Sequence, residues 1–236
     1  MRIAVPMRRI ALFALLFGLA LLLTLPLRLV LAGAAPVLTA REVSGSAWGG
    51  RLKETRVGPV AVGDLDARLS FPALLTGTAR LAVARPSGTS DRLSGAFGLS
   101  ARRRSAESVT GTVAVAGLFA PLPIAAFDLT DMTVRFRDGQ CDQAAGLVRA
   151  VLSGTPGGLP LPAALSGAAR CDRGGLLLPL SAGAGREALA LRLFGDGRYE
   201  ARVTIAASDP ALVAQLTAAG FTSGPGGYVM TLGGRL

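Results

Sequence analysis

After roughly its first forty residues this chain keeps a period of two. Leu65, Ala67, Leu69 and Phe71 alternate with Asp64, Asp66, Arg68 and Ser70. Leu81 and Val83 alternate with Arg80, Ala82 and Ala84, and Val109, Gly111, Val113 and Val115 repeat the pattern. Met132, Val134 and Phe136 stand against Thr133, Arg135 and Arg137. Later runs are Leu189, Leu191 and Leu193, then Tyr199, Ala201, Val203 and Ile205, then Tyr228, Met230 and Leu232. Successive strand side chains point to opposite faces, so each run offers one face to a core and one to water. Asp138-Gly139 and Asp196-Gly197 are tight-turn dipeptides, the second joining two runs as a hairpin. Residues 85–88, 155–158 and 224–227 read as loops. The spacing predicts an all-β domain, an elongated, twisted antiparallel sheet.

Two short helices interrupt it. Ser208-Asp209-Pro210 supplies an N-cap and an early proline, Leu212, Val213 and Leu216 an apolar stripe, and Gly220 a stop. The other lies around Phe71 to Leu75. Residues 118–126, apolar and carrying Pro121 and Pro123, read as the connection between two halves of the sheet.

The N-terminal region follows different rules. From Ile10 to Leu27 no residue is charged, and Arg28 is the only charge before Arg41. Arg2, Arg8 and Arg9 precede the run with no acidic residue beside them. About 20 apolar helical residues span the ~30 Å hydrocarbon layer. Arginines ahead of the run hold the amino terminus in the cytoplasm and send the remainder across. Pro26 kinks such a helix without ending it, and Arg28 snorkels to the outer interface. Ala32-Gly33-Ala34 also has the form of a signal-peptidase site, so the segment is either a retained anchor or a cleaved export signal. The length of the run and nearby Pro36 favour the anchor. The expected organisation is a cytoplasmic segment 1–9, a transmembrane anchor 10–31, a linker 32–42 and a β domain 43–236. That makes a single-pass protein of the bacterial inner membrane with its C-terminal domain in the periplasm.

Composition narrows the chemistry. The chain has no histidine and a single lysine, Lys53. Ser-His-Asp and Cys-His arrangements are therefore excluded, as is a histidine base. Asp64 and Asp66 point the same way on a strand, where such pairs are ordinarily solvated. Gly183-Ala184-Gly185-Arg186-Glu187-Ala188 matches a loose dinucleotide fingerprint, but a strand follows it where a helix is needed to hold the pyrophosphate. It reads as a hairpin loop. Net charge is +10, of which Arg2, Arg8, Arg9 and Arg28 supply four. With aromatics at only 5%, stacking platforms for nucleic acid are scarce. Arg102-Arg103-Arg104 reads as a solvated hairpin tip; contact with anionic lipid headgroups is its other use. Cys141 and Cys171 form a disulfide in an oxidising compartment, while two thiolates without histidine make an incomplete zinc shell. No enzyme, cofactor, metal or small-molecule substrate follows from these residues.

The most distinctive local feature is Val43-Ser44-Gly45-Ser46-Ala47-Trp48-Gly49-Gly50, which holds the only tryptophan. An indole among glycines can lie over exposed backbone, which suggests a structural corner formed by Gly45, Trp48 and Gly50. This motif follows one N-terminal anchor. Spaced Cys141-Asp142 and Cys171-Asp172-Arg173-Gly174 come next, and a Gly220-Phe221…Gly227-Tyr228 hairpin closes the chain. In that order they resemble the protein N family of the bacterial type II secretion system. The resemblance implies a non-enzymatic inner-membrane accessory component with a periplasmic β domain. Its partners would be other secretion components, on the inner-membrane or the outer-membrane secretin side, in the export of folded proteins. A second reading is a membrane-anchored periplasmic lipid-binding or lipid-transfer protein with a curved β-sheet groove. A carrier needs an open apolar groove along its length; an assembly factor needs a closed core.

Overall fold

A computed structural model describes residues 8, 12–13, 16–18, 20–21, 24–28, 38–86, 88, 92–154, 162–183 and 187–236. Within them lie strands β1 (Leu38–Thr39), β2 (Glu42–Ser46), β3 (Gly49–Val57) and β4 (Val60–Leu69), helix α1 (Phe71–Leu75), then β5 (Ala79–Ala84) and β6 (Leu93–Leu99). There follow β7 (Arg103–Ala114), β8 (Ile124–Arg137), β9 (Gln140–Leu152), β10 (Ala164–Ala168), β11 (Arg170–Asp172), β12 (Gly175–Ser181), β13 (Glu187–Leu193) and β14 (Arg198–Ile205). Helix α2 (Pro210–Ala218), β15 (Thr222–Gly224) and β16 (Gly227–Arg235) complete the chain.

All sixteen strands belong to one antiparallel sheet. Strands adjacent in sequence are adjacent in space almost throughout, because short turns return each strand beside its predecessor. One exception is interior, where β10 lies beside β12 and β11 pairs with β12 alone; the others are at the margins. β1 and β2 both pair with β3, and β16 rather than β15 lies beside β14. Residues 115–123 connect two neighbouring strands, β7 and β8.

The sheet rolls over its own apolar face. One core runs from Leu27 and Leu52 through Val148, Leu178 and Leu191 to Ala201. Phe119, from the β7–β8 connection, meets Phe127 of β8 at 5.9 Å and Tyr199 of β14 at 5.2 Å, both edge-on. Edge-on aromatic pairs add to the area they bury. The β8–β9 turn reaches the β13–β14 turn so closely that a Cβ on Gly195 would lie 2.5 Å from the Gly139 carbonyl oxygen. A small second cluster of Ile205, Leu216 and Phe221 seats α2. The Asp209 carboxylate caps that helix, accepting from the Ala211 N–H at 3.0 Å.

The expected all-β architecture with few short helices is what forms. Two local departures have physical causes. Phe71 continues the alternation in sequence but starts α1, because Pro72 can neither donate to a ladder nor strain the first turn of a helix. In β7 and β8 the period slips at bulges, where Ser108 and Asp131 take φ of 47°.

The N-terminal segment departs further. Its described residues are helical at 8, 12–13, 16–18, 20–21 and 27–28, and Thr24 closes a turn onto the Ala20 carbonyl at 3.0 Å. The sequence reading carries this helix through Pro26; instead Pro26 forms an antiparallel bridge with Ser46, and Leu27 is completely buried in the sheet core. Leu27 fits because Gly50 beneath it has no side chain: a Cβ there would sit 2.5 Å from Leu27 Cδ2. Among the described residues no helix is long and apolar enough to cross a membrane. Arg2 and Arg9, the Ala32-Gly33-Ala34 site and most of the linker lie outside the described residues, whereas Arg8 and Arg28 are exposed.

Candidate functional site

The Gly45–Trp48–Gly50 corner is a two-residue hairpin between β2 and β3, with Ser46 opposite Gly49 and Gly45 opposite Gly50. Gly45 takes φ +89°, and a Cβ on it would lie 2.7 Å from the Gly49 carbonyl oxygen, so only glycine fits. Ala47, fully buried, is held on both sides. Its N–H donates to the Leu25 carbonyl at 2.8 Å, and its carbonyl accepts from the Leu69 N–H at 2.8 Å. The Trp48 ring packs on Phe71 of α1, centroids 5.8 Å apart. The corner thus joins the N-terminal segment, the first hairpin and the end of β4. Sequence reasoning picked out Gly45, Trp48 and Gly50 but not Leu27, Ala47 or Phe71, whose roles depend on distant contacts with no local signal.

Cys141 at the start of β9 and Cys171 in β11 are bonded, their sulfurs 2.03 Å apart. The bond ties strands that the short β10 leaves unpaired at this end; Cys141 N–H also donates to the Gly174 carbonyl at 2.8 Å. Beside it Arg192 of β13 lies across Gly175, where a Cβ would meet Arg192 Cγ at 2.7 Å. Its guanidinium donates to the Asp172 carboxylate and to Glu200 at 3.3 Å. That guanidinium, helped by Arg173, holds the Asp172 carboxyl below its ordinary pKa against the opposing effect of burial. At the next turn the Arg198 backbone N–H, then its guanidinium, do the same for Asp196, at 3.0 and 2.7 Å. Arg173, Asp196 and Arg198, with Asp138 and Gln140, border a polar basin of about 450 Å³ between the β8–β9, β11–β12 and β13–β14 turns. Of its two carboxylates, Asp196 is matched by Arg198, which fixes the β13–β14 turn.

Inside the roll lies a cavity of about 260 Å³ with wholly apolar walls, formed by Val62, Val83, Phe97, Val109, Met132 and Leu178 among others. Among the described residues no group of three histidine, cysteine or acidic side chains could hold a metal ion. The Arg102–Arg104 turn joins β6 to β7, with the Ser100 N–H donating to the Arg103 carbonyl at 2.9 Å.

The two margins of the sheet differ. Along β2 and β3, Lys53 pairs with Glu42 and Arg41 with Glu54, each at 3.0 Å, and charges of this kind discourage a further strand. At the other margin β15 covers β16 only as far as Val229, so Met230 to Arg235 present an open backbone edge among the described residues.

Fold and surfaces together define a rolled antiparallel sheet built around the end of an apolar N-terminal segment, offering edges and faces to other molecules. The family model for type II secretion system (T2SS), protein N, matches residues 36–231, nearly the whole sheet. The chain belongs to the type II secretion system protein N family. The resemblance carried by the tryptophan corner, the spaced cysteines and the closing hairpin is thereby borne out. No match was found among curated proteins or among solved structures.

Proposed function

We propose that this chain is an accessory component held at the bacterial inner membrane, its sheet in the periplasm, acting by protein–protein contact in type II export of folded proteins. The observation that carries the reading is the family match across the sheet. Three features support its finer parts. Leu12, Phe13, Leu16, Phe17 and Leu21 are 54–71% exposed on the N-terminal helical residues, an apolar surface that suits lipid. The disulfide suits an oxidising space. The open edge of β16 suits strand addition by a partner, in which backbone hydrogen bonds supply affinity and alternate side chains select.

Photo-crosslinking from Thr231 in intact cells tests this. Recovery of secretion-system components from Thr231, with far less from Glu42 at the charged margin, is expected. Recovery of none from either position, with secretion unaffected by deletion of the chain, would reject it.

A second reading, acyl-chain binding, is favoured by the apolar cavity. The continuous core on either side of that cavity argues against a groove running the length of the sheet. Mass spectrometry of the protein purified from membranes separates the two: stoichiometric lipid lost on filling the cavity by Val109→Phe supports carriage.

A further inference from the structure

The N-terminal helix and the sheet are separated by almost nothing. Thr24 still closes a helical turn on Ala20, Leu25 accepts from the Ala47 N–H at 2.8 Å, and Pro26 is bridged to Ser46. One residue of chain spans at most ~3.6 Å, so the tryptophan corner cannot stray from the helix end. Accepting the anchor reading above, we propose that the end of the sheet bearing Trp48, α1 and the Arg102–Arg104 turn rests in the anionic headgroup layer of the membrane the helix enters.

Leu27 is buried in the sheet core and Pro26 is bridged to Ser46, so the sheet begins within two residues of the turn that Thr24 closes. A sheet tied that closely to a membrane-entering segment brings its nearest groups, the corner and α1, to the interface.

The residues at this end suit that position. Phe71 is 44% exposed with its ring tilted against Trp48, whose amphipathic indole favours the headgroup level. Register places the arginine turn at the same end: Leu69 pairs with Leu81, Ala79 with Leu99, and Leu99 with Arg104. Arg102, Arg103 and Arg104 are exposed and form no ion pair among the described residues, and Arg103 stands opposite Arg137. Each arginine near an anionic surface is worth about a fivefold change in partition. Arg137 opposite Arg103 is already paired with Asp142 at 3.3 Å; the three arginines of the turn are left for an anionic partner, and lipid is the one the helix delivers.

Trp48 is the chain's only tryptophan, so its emission reports this end alone. The test places the full chain in lipid nanodiscs of phosphatidylcholine with and without phosphatidylglycerol, using lipids brominated near the headgroup or deep in the chain. Strong quenching of Trp48 by the shallow label, deepened by phosphatidylglycerol, is expected. Arg102→Ser/Arg103→Ser/Arg104→Ser, on exposed side chains, should remove the phosphatidylglycerol dependence without changing retention in the disc. Retention with Trp48 unquenched by either label and open to acrylamide would overturn the docking and leave the anchor intact. Failure to enter the discs would overturn the anchor reading and this inference together.

Discussion

Thr55 is completely buried, and its hydroxyl has no hydrogen-bond partner among the described residues. It sits beside a bulge where Glu54 takes φ +48° and gives its N–H to the Asp64 carboxylate at 2.9 Å. The same device recurs at Ser108, bonded to Thr133 Oγ1 at 3.1 Å, and at Asp131, bonded to Thr110 Oγ1 at 3.0 Å. In each case a left-handed residue is held by a polar side chain of the facing strand. Thr55 takes no part in that exchange, so its hydroxyl bears a desolvation penalty. Thr55→Val keeps the branched shape and removes the hydroxyl; it should raise stability by about 1 kcal/mol, read as a higher denaturant midpoint. A lower midpoint would show that the hydroxyl has a partner. Asp172 and Asp196 give a prediction in pH. Both carboxyls are held below their ordinary pKa in the folded state. The unfolded chain therefore binds protons first as pH falls, and their stabilisation, complete above the ordinary carboxylate range, is lost on descending through the folded values. Asp172→Asn should flatten the acid limb of a melting-temperature profile; an unchanged limb would contradict it.

At the scale of elements, the disulfide and the period-two runs were both legible from sequence, for different reasons. Alternation is a local signal, and Leu65, Leu81, Leu189 and Leu191 are all buried as it requires. The cysteine pair is a count, read against a compartment. What could not be read was anything decided by contact between remote segments. The alternation of Val109, Gly111 and Val113 looks unbroken, yet a bulge intervenes, and at Gly111 a Cβ would overlap the Arg92 carbonyl oxygen. Pro26 reads as a kink in a membrane helix, and only the glycine slot at Gly50 turns Leu27 into a core residue. The cysteines are 30 apart in sequence, and closing such a loop stabilises by about 3–4 kcal/mol on a chain-entropy estimate. Cys141→Ser/Cys171→Ser should lower the denaturation midpoint accordingly while leaving far-UV circular dichroism that of a sheet. A midpoint equal to the parent's would mean the strands are held without the bond.

At the scale of the molecule, the sheet is a meander whose two margins have unlike chemistry. The first strands, charged at their rim, take up the end of the apolar segment; the last strand leaves six residues of backbone open. The unlike margins fit the role proposed above for this member of the type II secretion system protein N family. The most direct measurement is the distribution of a type II cargo between periplasm and medium in cells lacking this chain and complemented with variants. The account predicts that the full chain restores export, whereas a version carrying Thr231→Lys and Gly233→Lys on exposed positions of the open edge, folded and membrane-retained, leaves cargo in the periplasm. Full export in cells lacking the chain, or equal rescue by the edge variant, would contradict it.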